Sequence, residues 1–332
     1  MRSSFFILIL SFVSFASPVA GQSNEDFDRC SKETNPDLRI NYCVRAIQSG
    51  QLSNSNLAWA FNSRGMAYND KGEYDRAIQD FDQAIRLNPN YYSAFINRAN
   101  AYDDKGESDR AIEDYGQAIR VKPDGSDAFC QRGITFYRKR QYDRAIQDFD
   151  QAIRLNPNDA EAFDQRANAY DDKGEHDRAI EDYGQAIRVK PDFARAFKER
   201  GLVYSAKGEY DHAIQDYGQA IQLNPNYALA FDSRGVAYYK KREYDRAIQD
   251  YDQAIRLKPD LARAFTDRGT AYYEKGEYDR AIQDFDQAIR LNPSDAWAFY
   301  NRGSAKGRNG DKAGSDADIA HAKKLDPRVG PH

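Results

Sequence analysis

The chain has 332 residues, of which 41% are hydrophobic and 30% are charged. Its 48 basic and 52 acidic residues give a formal net charge of -4 at pH 7, and the basic residues form no continuous stripe. Binding along a nucleic acid backbone requires a strongly basic surface, so this composition argues against nucleic acid partners and gives no support for membrane-surface binding.

The N-terminal segment has the pattern of a secretory signal peptide. A basic start and two serines precede an apolar run over residues 5–16, and small residues follow up to Gly21. The run is about twelve residues long, shorter than the roughly 20 that a membrane-spanning helix needs. We expect residues 1–21 to be a signal peptide cleaved after Ala16, Ala20 or Gly21; the alternative is an uncleaved anchor. The mature chain is then exported, periplasmic or secreted, with no membrane insertion after cleavage.

Residues 22–57 lack the repeat that follows and are expected to form an N-terminal cap, with a helix at 40–47. Cys30 and Cys43 lie 13 residues apart within this segment. In an oxidising compartment, two cysteines close in sequence are interpreted first as a disulfide. The alternatives are two unpaired buried thiols, or a zinc site for which no further ligand lies nearby.

From residue 58 to residue 329, nearly the same 34 residues recur eight times. A fixed period of this length indicates a unit that buries its apolar face only by stacking on its neighbours. In the seventh unit, apolar or small residues are spaced by four and three in each half, at Phe265, Gly269, Tyr272, Ala281, Phe285 and Ala288. This spacing predicts two amphipathic helices per unit. The predicted units are 58–91, 92–125, 126–159, 160–193, 194–227, 228–261, 262–295 and 296–329.

The order of conserved residue types within the unit resembles the tetratricopeptide repeat, in an exported bacterial form with Asn-Arg-Gly or Asp-Arg-Gly in the first helix. The resemblance covers 272 of 332 residues. Within seven copies, only Phe136 replaces the expected Tyr, and Arg140 and Arg242 replace the Gly between helices. The eighth copy is degenerate, with Lys306 and Ser315 at apolar places, as expected for a polar terminal cap. The resemblance implies an all-α, right-handed superhelical solenoid of eight helix-turn-helix repeats.

The resemblance also implies that the first helices line a concave groove. Their second, fifth, sixth, ninth, twelfth and thirteenth places would face a ligand. In repeats two to four these places are mostly acidic, with Asp103, Asp104, Asp127, Glu161, Asp164, Asp171 and Asp172 against Arg138. In repeats five to seven they are mixed and more aromatic, with Arg195, Lys198, Tyr239, Lys240, Arg263 and Tyr273 beside Glu199, Asp232, Asp267 and Glu274. We expect an extended partner segment with a basic part near the first set and an apolar part near Tyr239 and Tyr273; the alternative is that these are solvated turns.

One charged pair recurs in every copy. An arginine precedes an aspartate by 16 residues at Arg64–Asp80, Arg98–Asp114, Arg132–Asp148, Arg166–Asp182, Arg200–Asp216, Arg234–Asp250, Arg268–Asp284 and Arg302–Asp318. Because function rarely requires the same residue in every copy, we interpret the pairs as partly buried structural ion pairs between helices rather than as a functional charge ladder.

Cys130 is the odd thiol of the chain and occupies the fifth place of the third repeat. We expect it on the exposed side of the first helix. It is then either a small surface residue or the link of a homodimer through a disulfide to a second chain.

The sequence contains no catalytic constellation, no Gly-rich phosphate loop and no metal-ligand spacing. We therefore predict no catalytic residues, cofactor or metal, and interpret the chain as a non-catalytic protein-interaction scaffold or adaptor of the cell envelope. The alternative is a self-associating structural envelope protein. An enzyme or small-ligand receptor is the remote alternative. The step from repeat to partner binding rests on family analogy, because a fold alone does not fix function.

Overall fold

A computed structural model describes residues 18–330, which form 18 α-helices and contain no strand. The predicted all-α helical-repeat solenoid is confirmed. Most of the predicted signal peptide, residues 1–17, lies outside the described residues. Over the described range, none of the helices combines the length and apolar character needed to cross a membrane.

The chain divides into two compact units at Pro157 and Asn158. The first unit contains the helices α1 Pro18–Lys32, α2 Pro36–Gln48, α3 Asn54–Asp70, α4 Tyr74–Leu87, α5 Tyr92–Asp104, α6 Ser108–Val121, α7 Ser126–Arg138 and α8 Tyr142–Leu155. The second unit contains α9 Ala160–Asp172, α10 His176–Val189, α11 Ala194–Ala206, α12 Tyr210–Leu223, α13 Ala228–Lys240, α14 Tyr244–Leu257, α15 Ala262–Glu274, α16 Tyr278–Leu291, α17 Ala296–Arg308 and α18 Lys312–Leu325. Odd-numbered helices from α3 onward are the first helices of the repeats.

An aromatic residue of each second helix, from the first repeat to the seventh, forms the centre of the repeat core. Phe149 on α8 is fully buried, between Ala145 and Ala152 on the same face. It packs against Gly133 of α7, where an added Cβ would lie only 2.7 Å from Cε1 of the ring. The two helices thus approach closely at this point, where most repeats have Gly and the second and fourth have the small residues Ala99 and Ala167.

The turn inside each repeat needs a residue with positive φ. Glycine supplies it in most repeats, as at Gly208 with φ 78°. Arg140 and Arg242 keep the same conformation with φ of 56° and 61°. A side chain in this region costs roughly 1 kcal/mol relative to glycine, so the turn geometry is preserved at an energetic cost.

The N-terminal cap is the helix pair α1 and α2. The Asn35 side chain accepts from Leu38 N at 3.1 Å, and Pro36 begins α2, which contains the predicted helix at 40–47. Cys30 and Cys43 form the predicted disulfide between these helices and are fully buried. A loop of this length stabilises the fold by about 3 kcal/mol on the chain-entropy model.

Cys130 does not lie where the sequence suggested. Its side chain is buried, with 5% exposed, so the expectation of an exposed thiol was wrong. The fifth place of the first helix is covered in several repeats, as Asn62, Asp164 and Asp232 are also buried. A disulfide to a second chain requires an accessible sulfur, so the homodimer through Cys130 loses its structural basis.

Candidate partner-binding surfaces

The recurring arginine–aspartate pairs connect the two helices of each repeat, as predicted. In all eight pairs, arginine Nε and Nη2 donate to the two carboxylate oxygens over 2.6 to 2.8 Å. The aspartates are only 4% to 6% exposed. Burial raises the pKa of Asp250 and Asp284, and the paired guanidinium opposes this shift. This bidentate geometry identifies the pairs as part of the core rather than as ligand contacts.

Several of the arginines also reach the preceding repeat. Arg98 Nη1 donates to Asp82, Arg268 Nη1 donates to Asp252, and Arg302 Nη1 donates to Asp286, over 2.5 to 2.6 Å. The equivalent place holds glycine in the second, fourth and fifth repeats, at Gly116, Gly184 and Gly218. This particular ion pair is thus present at some interfaces between repeats and excluded by glycine at others, which have other ion pairs such as Lys207–Asp177 and Lys241–Asp211.

In the first unit, the predicted acidic residues are largely occupied by neighbours within the chain. Asp103 accepts from Ser108 Oγ at 2.9 Å and from Arg138 Nη1 at 2.5 Å. Asp127 accepts from the Tyr92 hydroxyl, and Asp104 accepts from Asn69 Nδ2 at 3.4 Å. These carboxylates are therefore less available to a ligand than their places in the sequence suggested.

In the second unit, Asp164 is completely buried on α9. One of its oxygens accepts from Arg195 Nη2 at 2.7 Å and from Asn168 Nδ2 at 3.3 Å, while its Oδ1 has no hydrogen-bond partner. Arg195 also donates to the exposed Glu161 at 2.7 Å. Burial raises the pKa of Asp164 to about 7, although Arg195 acts in the opposite direction.

The other two acidic residues predicted on α9 lie at its C-terminal end. Asp171 is 2.8 Å from Nδ1 of His176, and Asp172 is exposed. On the next first helix, Lys198 forms an ion pair with Glu199 at 2.7 Å and is mostly covered. Lys198 is thus held by its sequence neighbour.

A second buried carboxylate, Asp232, occupies the equivalent place on α13. Its Oδ1 also has no hydrogen-bond partner, and its Oδ2 lies 3.8 Å from Nε of Arg263. Arg263 is closer to Asp267, at 3.2 Å. Burial raises the pKa of Asp232 to about 6, and the neighbouring Asp267 adds to the shift.

Two adjoining clefts lie along the first helices of repeats six to eight. The smaller cleft is lined by Val236, Tyr239, Lys240, Tyr251, Arg263, Asp267 and Thr270. The larger, which we call the aromatic cleft, has a volume of about 320 Å³ and is lined by Thr270, Tyr273, Glu274, Phe285, Trp297, Tyr300, Asn301, Ser304 and Gly330. The structure therefore brings Arg263, Tyr239 and Tyr273 onto one continuous surface.

Sequence reasoning missed the aromatic residues of the last repeat. Trp297 and Tyr300 line the aromatic cleft, and Trp297 is 38% exposed. They occupy the second and fifth places of α17. The expectation that these places of a first helix face a ligand would have found them if it had been applied to the eighth repeat. The eighth repeat was instead interpreted only as a polar cap. Its first helix, α17, places two aromatic side chains in the aromatic cleft.

The repeat geometry agrees with comparisons to known proteins. Sequence models of the TPR repeat match residues 99–140, 167–208, 201–242, 235–276 and 269–310, and tetratricopeptide-repeat models match residues 58–91, 81–113, 126–159 and 149–181. These matches include more than half of the chain, which therefore belongs to the tetratricopeptide repeat family. Proteins of this family generally act as non-catalytic interaction scaffolds. No curated protein matches the chain.

Solved structures show the same fold. A tetratricopeptide repeat protein from Parabacteroides merdae aligns with a TM-score of 0.56 at 21% identity, covering 71% of this chain and 93% of that protein. PilF of Pseudomonas aeruginosa aligns with a TM-score of 0.55 at 20% identity, covering 61% of this chain and 93% of PilF. At these identities the likeness establishes the fold alone.

The raised pKa of Asp164 makes stability depend on pH. The folded chain keeps the proton up to about pH 7, whereas the unfolded chain releases it near pH 4, so stability falls as pH rises through this window. Asp164→Asn removes the titrating group. As pH rises through this window, the free energy of unfolding of the variant should increase relative to that of wild type by up to about 1.4 kcal/mol per pH unit.

Urea unfolding at a series of pH values measures this difference. Glu161, Glu199 and Arg195 face Asp164 and remain in the variant. Asp260→Asn, an exposed substitution, is the matched control and should follow the wild-type curve. Parallel curves of stability against pH for wild type and Asp164→Asn would contradict the raised pKa of Asp164.

Proposed function

We propose that the protein is an exported, non-catalytic scaffold or adaptor that binds an extended segment of a partner protein along its first helices. The observation that carries this proposal is the aromatic cleft, where Tyr273, Trp297 and Tyr300 stand together at a surface. Tyrosine and tryptophan are enriched at the centres of protein interfaces because they bury a large area at a small cost in conformational entropy.

Charged groups beside the aromatic cleft support a peptide ligand rather than a purely apolar one. Glu274 lies in the cleft wall, and Arg263, Asp267 and Lys240 line the adjoining smaller cleft. Such groups mainly set the orientation and association rate of a bound chain.

Export is supported by two features of the N-terminal region. Residues 1–21 have the composition of a signal peptide, and the disulfide between Cys30 and Cys43 is typical of oxidising compartments. We therefore propose that the protein acts in the periplasm or outside the cell. The intact mass of the chain recovered from the cell envelope tests this, since cleavage after Ala16, Ala20 or Gly21 gives three distinct masses. Full-length chain in the cytoplasm would contradict it.

Photo-crosslinking in the producing cells tests partner binding. The probe replaces Trp297 in the aromatic cleft, and the matched control replaces Gln283, which is exposed on the second helix α16 and lines neither cleft. A discrete protein adduct from Trp297 alone is expected. Adducts only from Gln283 would refute the groove assignment. A dominant adduct of two copies of the chain would replace the scaffold with a self-associating structural protein.

A further inference from the structure

Two glycines in the middle of second helices stand where other repeats have an ion-pairing aspartate. Gly184 lies on α10 and Gly218 on α12, at the place that Asp252 occupies on α14 and Asp286 on α16. Glycine destabilises the interior of a helix relative to alanine, because it has the most conformational freedom to lose on folding. These two glycines therefore need an explanation from their surroundings.

Packing does not require glycine at either place. Apart from its chain neighbours, a Cβ added at Gly184 would have only Nη1 of Arg200 within 4 Å, at 3.6 Å. A Cβ added at Gly218 would likewise have only Nη1 of Arg234, at 3.8 Å. Both are ordinary van der Waals distances, whereas a Cβ at Gly133 would collide with a buried ring. The space beside Gly184 and Gly218 is thus bounded by a guanidinium group and is otherwise open.

Each of these guanidinium groups has one nitrogen that faces the open space. Nε and Nη2 of Arg200 and Arg234 donate to the buried aspartate of their own repeat. Within residues 18–330, Nη1 of neither arginine donates to a second carboxylate, although Nη1 of Arg268 donates to Asp252 at 2.5 Å. The side chains of Arg200 and Arg234 are 21% and 22% exposed, so a group from outside the chain can reach them.

The other repeats show which chemical group fits beside this nitrogen. Where aspartate is present, its carboxylate accepts from the arginine over 2.5 to 2.6 Å, even though the same arginine already holds its buried aspartate. The fold therefore accepts two carboxylates on one guanidinium. A hydrogen bond between two charged groups is also about twice as strong as a neutral one, so a carboxylate is preferred over an uncharged ligand.

Charges on the same helices do not oppose an acidic ligand. Glu181 and Arg188 lie one turn before and one turn after Gly184 and have opposite charges. The equivalent residues around Gly218 are the uncharged Gln215 and Gln222. Neither glycine therefore has an excess of negative charge beside it on its own helix.

We propose that Gly184 with Arg200, and Gly218 with Arg234, form two anion notches that bind acidic side chains of one partner segment. Each ligand carboxylate accepts from Nη1 of the arginine, at the position that an aspartate fills in other repeats. The notches share no residue with the aromatic cleft or the smaller cleft. They are thus a second interaction surface, in addition to the one on which the proposed function rests.

The two notches lie in neighbouring repeats of the second unit, which sets the spacing of the ligand. Equivalent helices of adjacent repeats are at least about 10 Å apart. An extended chain spans about 3.3 to 3.6 Å per residue, so the two acidic residues are about three or four positions apart. The second contact is intramolecular once the first has formed, so two weak contacts reinforce each other.

Synthetic fluorescent peptides test this ligand with the full chain. The probe has three glutamates, the first two separated by three positions and the last two by four, with serine and glycine elsewhere. Its matched control has glutamine in place of glutamate. Fluorescence anisotropy at low salt should show an affinity at least about tenfold higher for the glutamate peptide. Inorganic phosphate at the concentration of the peptide should not displace it, because a free ion lacks the second contact.

Substitutions of the two glycines separate the ligand site from a mere gap between repeats. The double variant Gly184→Asp and Gly218→Asp supplies the second carboxylates from within the chain. It should raise the melting temperature and weaken glutamate-peptide binding by about tenfold or more. The double variant Gly184→Ala and Gly218→Ala leaves both Nη1 groups available and should keep the wild-type affinity.

Gly116→Asp controls for added negative charge. It makes the same substitution beside Arg132 in the first unit, away from the paired notches, and should leave peptide affinity unchanged.

The proposal is overturned if the glutamate and glutamine peptides bind equally, or if the double aspartate variant keeps its affinity while its melting temperature rises. Equal weakening by the double alanine variant or by Gly116→Asp would also overturn it. Displacement by an equal concentration of phosphate would show a site for free anions instead of a protein segment. Crosslinking from Trp297 is independent of these outcomes, so failure of the notches and failure of the proposed function are distinguishable.

Discussion

Replacement of Phe149 by alanine is expected to lower the free energy of unfolding by about 3 to 5 kcal/mol. The ring is fully buried between α7 and α8. The facing residue, Gly133, has no side chain that could move into the space. The loss therefore includes both the transfer of the ring to water and a cavity that cannot collapse. Urea unfolding followed by circular dichroism measures the change.

Phe129→Ala in the same repeat is the matched comparison. Phe129 recurs as strictly as Phe149 in the sequence but is only half-buried, with Arg132 over its ring at 5.8 Å. Its removal should cost clearly less, because part of the ring already contacts water. Equal losses for the two variants would show that the second-helix aromatic residue is not the centre of the core.

Removal of one member of a buried ion pair should have an effect of similar size. Asp216 is 4% exposed and accepts both hydrogen bonds of Arg200. Gly184 lies beside Arg200, at the place where an aspartate in other repeats gives the equivalent arginine a second carboxylate. Asp216→Ala leaves the guanidinium uncompensated and is expected to cost about 3 to 5 kcal/mol. Asp216→Ala combined with Arg200→Met should cost less than the sum of the single changes.

The pair of Arg98 and Asp114 provides the control for this cycle. Arg98 also donates to Asp82 at 2.5 Å, so Asp114→Ala leaves it one carboxylate. The loss should therefore be smaller than that of Asp216→Ala. Additive single changes at Arg200 and Asp216 would contradict the buried ion pair, and equal losses at Asp114 and Asp216 would contradict a structural role for the second carboxylate.

The fold could be predicted because each local signal repeats. Glycine, the second-helix aromatic residue and proline occupy fixed places in a period of 34, so helix pairs and their boundaries follow from one unit. The cap helix and the disulfide between Cys30 and Cys43 were also predicted, because both depend only on residues that are close together in the sequence.

The binding surface was less predictable because burial at its edges depends on side chains in the next repeat. Periodicity shows which face of a helix a residue occupies, but not whether a neighbour covers it. Asp103 is neutralised by Arg138, which lies 35 residues later, and Cys130 is buried at a place expected to be exposed. Trp297 was missed because its repeat departs from the common pattern and was interpreted only as a cap, so its residues were not assigned to the groove.

The alternation of aspartate and glycine before the recurring arginines makes the ion pairing between repeats uneven along the second unit. Arg268 and Arg302 connect the last three repeats through Asp252 and Asp286, whereas Gly184 and Gly218 leave the earlier interfaces without this bond. In a linear array, stability is a sum of nearest-neighbour terms, so each interface depends on its own set of ion pairs: the earlier ones on Arg195, Lys207 and Lys241, and the later ones also on Arg268 and Arg302. Added salt would then loosen the interfaces unequally, which amide hydrogen exchange at low and high ionic strength can measure.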